Sequence, residues 1–306
     1  MKDRVVIGTR GSQLALWQAN WVSDRLRELR PGLTVELQIV KTIGDQIQDR
    51  PLEAIGVRGA FTKELDHALL EGSVDLVVHS LKDVPTEPAE GTIIASVPLR
   101  EDPRDAFIGK GVAHFEELPQ GAVIATGSLR RQAQIKVVRP DISVEGLRGN
   151  IDTRLRKLRE SATLHGIILA RAGVKRLGLE QHVTQILELR DWLPAPGQGA
   201  LGIATRARDV DSMAVAMLLD DAASHAAVDA ERALLARLEG GCHVPIGTYA
   251  SVNGEHLSLD ALVASPDGTN HVRDKIAGGV SEASALGLKL AERLLENGGR
   301  AILAAL

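Results

Sequence analysis

The chain has 306 residues with 44% apolar and 25% charged side chains, which is ordinary for a soluble protein of two or three domains, each able to bury a core. Its single cysteine excludes a disulfide framework or a zinc site built from several thiolates, and its net charge of −4 weighs against a nucleic-acid binder. The start Met1-Lys2-Asp3-Arg4-Val5 has no apolar leader and no later run approaches bilayer length, so a cytoplasmic location with no membrane partner is expected.

Short β-branched runs alternate with helical periods through the first two thirds of the chain. Strands are expected at residues 5–7, 35–40 and 74–78, with helices at 13–30, stopped by Pro31-Gly32, and at 61–70. The rhythm resumes with strands at 122–125, 144–147 and 166–170 and helices at 129–138 and 151–159. Such alternation predicts two α/β domains with parallel sheets. Proline and acidic residues break both periods at 97–106 and again in Trp192-Leu193-Pro194-Ala195-Pro196-Gly197-Gln198-Gly199, which read as crossings between domains. Beyond residue 222 the texture changes to an alanine-rich helix, strands at 248–252, 257–264 and 271–276 joined by Asn253-Gly254 and Pro266-Asp267-Gly268 turns, and a helix at 281–296. This predicts a smaller α+β domain with an antiparallel sheet.

Basic residues are unevenly spread: Arg130 to Arg176 holds nine Arg and three Lys against four acids, a local balance of +8. Arginine suits bidentate recognition of carboxylate or phosphate, so either an anionic ligand or a solvated helix face explains the cluster. With only seven aromatic residues in the chain, stacking on nucleic-acid bases is a poor fit. Two segments echo one another: Ile7-Gly8-Thr9-Arg10-Gly11-Ser12 and Ile124-Ala125-Thr126-Gly127-Ser128-Leu129-Arg130-Arg131 both run strand, Thr, Gly, Ser, helix. Each is an anion site at a helix N-terminus or a plain serine cap.

His79-Ser80-Leu81-Lys82-Asp83 follows an apolar strand, at the end where α/β sheets gather their ligands; Lys82 and Asp83 are a catalytic pair or a surface ion pair. The glycine-rich stretch 43–59 has the character of a lid and lacks a nucleotide-binding fingerprint. No metal-ligand spacing occurs. Cys242, in Glu239-Gly240-Gly241-Cys242-His243, sits on an accessible loop where a thiol is either inert or poised to react.

Together Thr9-Arg10-Gly11-Ser12, Phe61-Thr62-Lys63-Glu64-Leu65, His79-Ser80-Leu81-Lys82-Asp83-Val84-Pro85, Ser128-Leu129-Arg130-Arg131, Leu147-Arg148-Gly149-Asn150, Thr153-Arg154, Gly197-Gln198-Gly199 and the Cys242 loop make the chain resemble the porphobilinogen deaminase (hydroxymethylbilane synthase) family over nearly its full length. The resemblance implies a monomeric cytoplasmic transferase of tetrapyrrole biosynthesis. Such an enzyme joins four porphobilinogen molecules head to tail, with release of ammonia, to hydroxymethylbilane. It implies two domains like the halves of a periplasmic binding protein, at residues 1–98 with 199–219 and at 104–193, and a third at 222–306. A dipyrromethane cofactor would be tethered to Cys242 by a thioether. Asp83 would be the catalytic carboxylate, assisted by Lys82. Thr126, Ser128, Arg130 and Arg131 would join Lys82 and Asp83 in holding the cofactor, and Arg10, Ser12, Arg148, Arg154 and Arg176 would hold substrate.

Porphobilinogen carries two carboxylates per ring, which gives an arginine cluster a purpose. Gly127 stands where the family usually has serine, and Arg58 where lysine is frequent. A solute-binding module, a Cys-His hydrolase and a nucleic-acid binder are the rival readings. The first lacks a leader; the second has only His243, a poor base for its own neighbour.

Overall fold

The computed structural model describes residues 2–42, 62–238 and 244–306, so the stretch read as a lid and the loop bearing Cys242 lie outside the described residues. The chain begins with β1 (Arg4–Thr9), α1 (Gln13–Leu29), β2 (Thr34–Ile39), α2 (Lys63–Leu70), β3 (Leu76–Ser80) and β4 (Thr92–Ser96). It continues through β5 (Asp105–Gly109), β6 (Val123–Ala125), α3 (Leu129–Val138), β7 (Ser143–Glu145), α4 (Ile151–Glu160), β8 (Gly166–Ala170), α5 (Arg171–Arg176) and β9 (Gln185–Ile186). Last come β10 (Leu201–Arg206), α6 (Val210–Ala216), α7 (Ala222–Arg237), β11 (Ile246–Asn253), β12 (His256–Ala264), β13 (His271–Gly279), α8 (Ala283–Leu294) and α9 (Arg300–Ala304). These form two compact units, residues 1–101 with 200–225 and residues 102–199 with 226–306.

The first unit is built on a five-stranded sheet in the order β2-β1-β3-β10-β4. Its middle strands are apolar on both faces because helices cover both. Val5, Ile7, Leu76 and Ile203 meet Ala19, Val22 and Leu26 of α1 on one side, while Val77 and Ala204 meet Leu65 and Leu69 of α2 on the other.

The sheet of the second unit runs β7-β6-β8-β5-β9 and repeats the first strand for strand: β6 pairs in parallel with β7 and β8, as β1 does with β2 and β3. In each sheet the fourth strand runs against the rest, β10 in the first and β5 in the second. The parallel sheets expected from alternation are therefore corrected to mixed ones. A strand that arrives along an interdomain crossing, rather than through a βαβ connection, is free to enter reversed. Three of the seven aromatic rings are spent on this core, with Phe107 edge-on to Phe115 at 5.6 Å and Phe115 to Trp192 at 6.1 Å.

The antiparallel sheet β11-β12-β13 has its own core, in which Leu257, Leu259, Ala261 and Val263 project from alternate positions of β12 onto α7 and α8. It joins the rest of its unit through Ala133, Leu193, Leu262 and Ala264, and through the Thr248 N–H donated to the Pro194 carbonyl at 2.9 Å. Two α/β sheets and one antiparallel α+β sheet agree with the expected fold class. Among the described residues no helix is long and apolar enough to cross a membrane.

Candidate functional site

The echoing segments occupy equivalent places in the two sheets, at the carboxyl ends of β1 and β6. Ser12 caps α1, its Oγ accepting from the Ala15 N–H at 3.3 Å, and Ser128 caps α3, accepting from the Arg131 N–H at 3.4 Å. The cap reading is thus realised at both serines. Thr126 is buried and its Oγ1 accepts from the Ser128 N–H at 3.2 Å, holding the turn that leads into α3. Gly127 lies in this turn, where an added Cβ would stand 2.8 Å from the Leu147 carbonyl oxygen. A backbone atom cannot swing aside, so a serine at this position would force the turn open.

In the first unit, β3 delivers Leu81-Lys82-Asp83 as a single 3₁₀ turn. Leu81 is buried and its N–H donates to the Ala200 carbonyl at 3.1 Å, while Ser80 Oγ accepts from Gln18 Nε2 of α1 at 2.7 Å. The turn is anchored at its start, leaving Lys82 half-buried and Asp83 exposed. Arg10 and Ser12, both half-buried, belong to the same unit. His79 is buried on β3, and burial together with the Arg10 charge pushes its imidazole down to about 4.

That burial should make stability depend on pH. Between the unfolded value of 6.5 and about 4 the unfolded chain binds the extra proton, so stability is complete above 6.5 and lost as pH falls toward 4. The ceiling on this loss is about 3 kcal/mol. Asp66, raised to about 6 mainly by burial, acts in the opposite sense over a similar range, but it is partly solvated and offsets only a fraction. Urea unfolding at pH 7, 6 and 5 should show a steeper acid loss in wild type than in His79→Gln; parallel curves would mean that His79 carries no such cost.

In the second unit the arginines divide by use. Arg130 and Arg131 are 4% and 5% exposed. Their heads converge on Asp105, Arg130 Nη1 at 2.8 Å from Oδ2 and Arg131 Nη2 at 2.7 Å from Oδ1. Burial alone would raise the Asp105 carboxyl, but the two guanidiniums outweigh it and hold it well below the usual carboxylate range. The Nε–H donors of both arginines are buried and have no acceptor among the described residues. An orphaned buried donor is costly, and a carboxylate is one acceptor whose charge and two oxygens suit such a pair.

The half-buried Arg148 and Arg154 lie around the tight turn before α4. Asn150 caps that helix through the Thr153 N–H at 2.9 Å, Arg154 Nε donates to the Gly149 carbonyl at 2.8 Å, and Lys157 Nζ donates to the Arg148 carbonyl at 3.1 Å. Arg176 Nη2 donates to the Gly199 carbonyl at 2.7 Å. Arg139 and Arg171 serve internal ion pairs with Asp141 and Asp102. Much of the +8 cluster therefore also holds its own fold together. Cys242 falls outside the described residues, and among those described no group of His, Cys, Asp and Glu is arranged to hold a metal ion.

Sequence reasoning missed Asp105 because Glu101-Asp102-Pro103-Arg104-Asp105 reads as one polar turn. The available signal was its place immediately before the apolar Ala106-Phe107-Ile108. A charge that opens a buried strand needs partners of opposite sign.

Comparison with known proteins identifies the family. Residues 5–214 match the family model described as porphobilinogen deaminase, dipyromethane cofactor binding domain, and residues 225–296 match the porphobilinogen deaminase C-terminal domain. The porphobilinogen deaminase of Geobacter sulfurreducens is 52% identical over 307 residues, covering 99% of this chain and 94% of that protein. The enzyme of the same name from Trichlorobacter lovleyi is 51% identical, with 98% and 96% covered, and that from Pelotomaculum thermopropionicum 46%, with 99% and 97%. The methionine-binding protein MetQ aligns at 11% identity over 71% of this chain and 90% of its own, with a TM-score of 0.43, a likeness too remote to add weight. With both family models matched and about half of all positions shared along nearly the whole length, the chain belongs to the porphobilinogen deaminase family.

Proposed function

We propose that this chain carries out the family's reaction, the head-to-tail condensation of four porphobilinogen molecules to hydroxymethylbilane with release of ammonia, using the residues named above in distinct roles. The observation that carries this reading is the pair of buried guanidiniums with unmatched Nε–H donors: they fit a ligand bearing carboxylates, as the family's dipyrromethane cofactor does. Arg130, Arg131, Thr126 and Ser128 hold the acidic arms of that cofactor, with Lys82 and Asp83 on its rings, and Cys242 is its point of attachment. When bound, the cofactor supplies a nucleophilic pyrrole carbon to which the first substrate is joined.

Asp83 accepts a hydrogen bond from the pyrrole N–H of porphobilinogen. As the C–N bond to the departing ammonia breaks, positive charge spreads onto that nitrogen, and a carboxylate beside it stabilises the charged state more than the neutral one. Lys82 tunes Asp83 or binds a cofactor carboxylate. Arg10, Ser12, Arg148, Arg154 and Arg176 neutralise the acetate and propionate groups of substrate and growing chain. The three sheets act as three domains, at residues 1–98 with 199–219, at 104–193 and at 222–306. The enzyme works as a cytoplasmic monomer, with no nucleic-acid or membrane partner.

Intact mass of the purified full chain tests the reading as a whole. A protein heavier than its sequence by two linked pyrrole units, returning to sequence mass in Cys242→Ser, is the expected result. Sequence mass in wild type, with no gain on adding porphobilinogen, would sink it.

A further inference from the structure

Neighbouring residues on a helix point about 100° apart, so Arg130 and Arg131, the second and third residues of α3, have no local reason to bring their heads together. They do so here because both reach one fully buried carboxylate. Asp105 is 0% exposed, and its oxygens take four donors: Arg131 Nη2 at 2.7 Å and Gln198 Nε2 at 2.8 Å on Oδ1, Arg130 Nη1 and Trp192 Nε1, each at 2.8 Å, on Oδ2. All four acceptor directions of the carboxylate are in use. The remaining terminal contacts go to carbonyls, Arg130 Nη1 to Leu193 at 2.7 Å and Arg131 Nη1 to Ile168 at 3.0 Å. The two Nε–H groups are buried and have no acceptor among the described residues.

The charge count points the same way. Two guanidiniums and one carboxylate enclose a net charge of +1 away from water, a state that one further anion would relieve. Asp105 thus serves two ends: it prevents the arginines from repelling one another, and it leaves them one negative charge short. Resting on the functional reading above, we propose that Asp105 is a positioning residue that gathers Arg130 and Arg131 into a single carboxylate receptor for the cofactor. Its other two donors come from the returning crossing, and Gln134 of α3 grips the same segment twice at Leu193, through the N–H at 2.8 Å and the carbonyl at 2.9 Å. The receptor is therefore built from three stretches of chain, β5, α3 and the returning crossing, that meet at one carboxylate.

The test follows cofactor loading in full-length protein made in cells that cannot synthesise porphobilinogen, reading the two-pyrrole mass gain against time after porphobilinogen is added. Asp105→Asn should load at least tenfold more slowly than wild type. The control is Asp260→Asn, which removes a different buried carboxylate, paired with Arg273 and Lys275 on the antiparallel sheet, and should load within threefold of wild type. A rate for Asp105→Asn within threefold of wild type, or equal slowing in both variants, would overturn the proposal.

Should Asp105→Asn fail to fold, the wild-type protein decides. The ¹H–¹⁵Nε signals of Arg130 and Arg131 should exchange slowly with water before loading and both move on loading. Signals that exchange like surface arginines, or stay fixed on loading, would overturn it equally. Failure of wild type to gain mass under any condition counts against the functional reading instead, so the two failures are told apart.

Discussion

Asp83→Asn is expected to lower kcat about a thousandfold while leaving the melting temperature within a degree or two of wild type. The substitution keeps size and shape and removes the negative charge. Stability should be indifferent, because the 3₁₀ turn is held by buried Leu81 and by the Gln18–Ser80 hydrogen bond, not by the exposed carboxylate. Turnover should not be indifferent. An asparagine oxygen still accepts from a pyrrole N–H, so substrate binds and KM changes little, but a neutral dipole does not follow the charge that develops as ammonia departs. Steady-state kinetics with porphobilinogen, alongside a thermal melt, would check this. A kcat within tenfold of wild type would remove Asp83 from the chemistry. A fall in melting temperature that matched the fall in rate would make its role structural.

Gly287→Leu should have the largest effect on stability, about 3 kcal/mol or more. Gly287 is buried on α8 where that helix crosses α7, and an added Cβ would lie 2.3 Å from the Ala230 carbonyl oxygen and 3.0 Å from both Ala233 Cβ and Leu234 N. Every one of those atoms is in or next to the α7 backbone, so the helices must separate. The gap so opened runs through the core formed by Leu234, Leu257, Leu259, Leu290 and Leu294. The compact unit that contains Gly287, residues 102–199 with 226–306, is of a size that loses roughly 2–4 °C per kcal/mol, so a melting temperature about 6–12 °C lower is expected. A shift under 2 °C would show that the crossing has slack. The same variant should take up cofactor poorly, since α7 leads directly into the thiol loop.

The helices were the most legible part of the sequence. Leu129–Val138 lies where its period places it, with the serine cap in front, and strand Gly166–Ala170 is bounded as its apolar run suggests. Strands β5 and β10 were not legible from pattern. In β5 only Ala106-Phe107-Ile108 is continuously apolar, behind a polar turn, and β10 is diluted by Gly202, Ala204 and Thr205. Each is a strand because a slot between two others must be filled, and its reversed direction is set by where the chain comes from rather than by local preference. The site divided in the same way. Serine caps, the arginine cluster and the Lys82-Asp83 turn follow from residue type and spacing. That Arg130 and Arg131 are interior residues sharing Asp105 depends on contacts 25 and 26 positions apart, which no local window contains.

The late arrival of β10 has a consequence during synthesis. The strand that belongs between β3 and β4 leaves the ribosome only after residues 97–200 have emerged, and until then β3 ends a three-stranded sheet with an open hydrogen-bonding edge. The strands of the second sheet, by contrast, lie within one unbroken stretch from Asp105 to Ile186. All strands of the second sheet are therefore available before the first sheet can be completed, and the edge left open until β10 arrives borders Lys82 and Asp83.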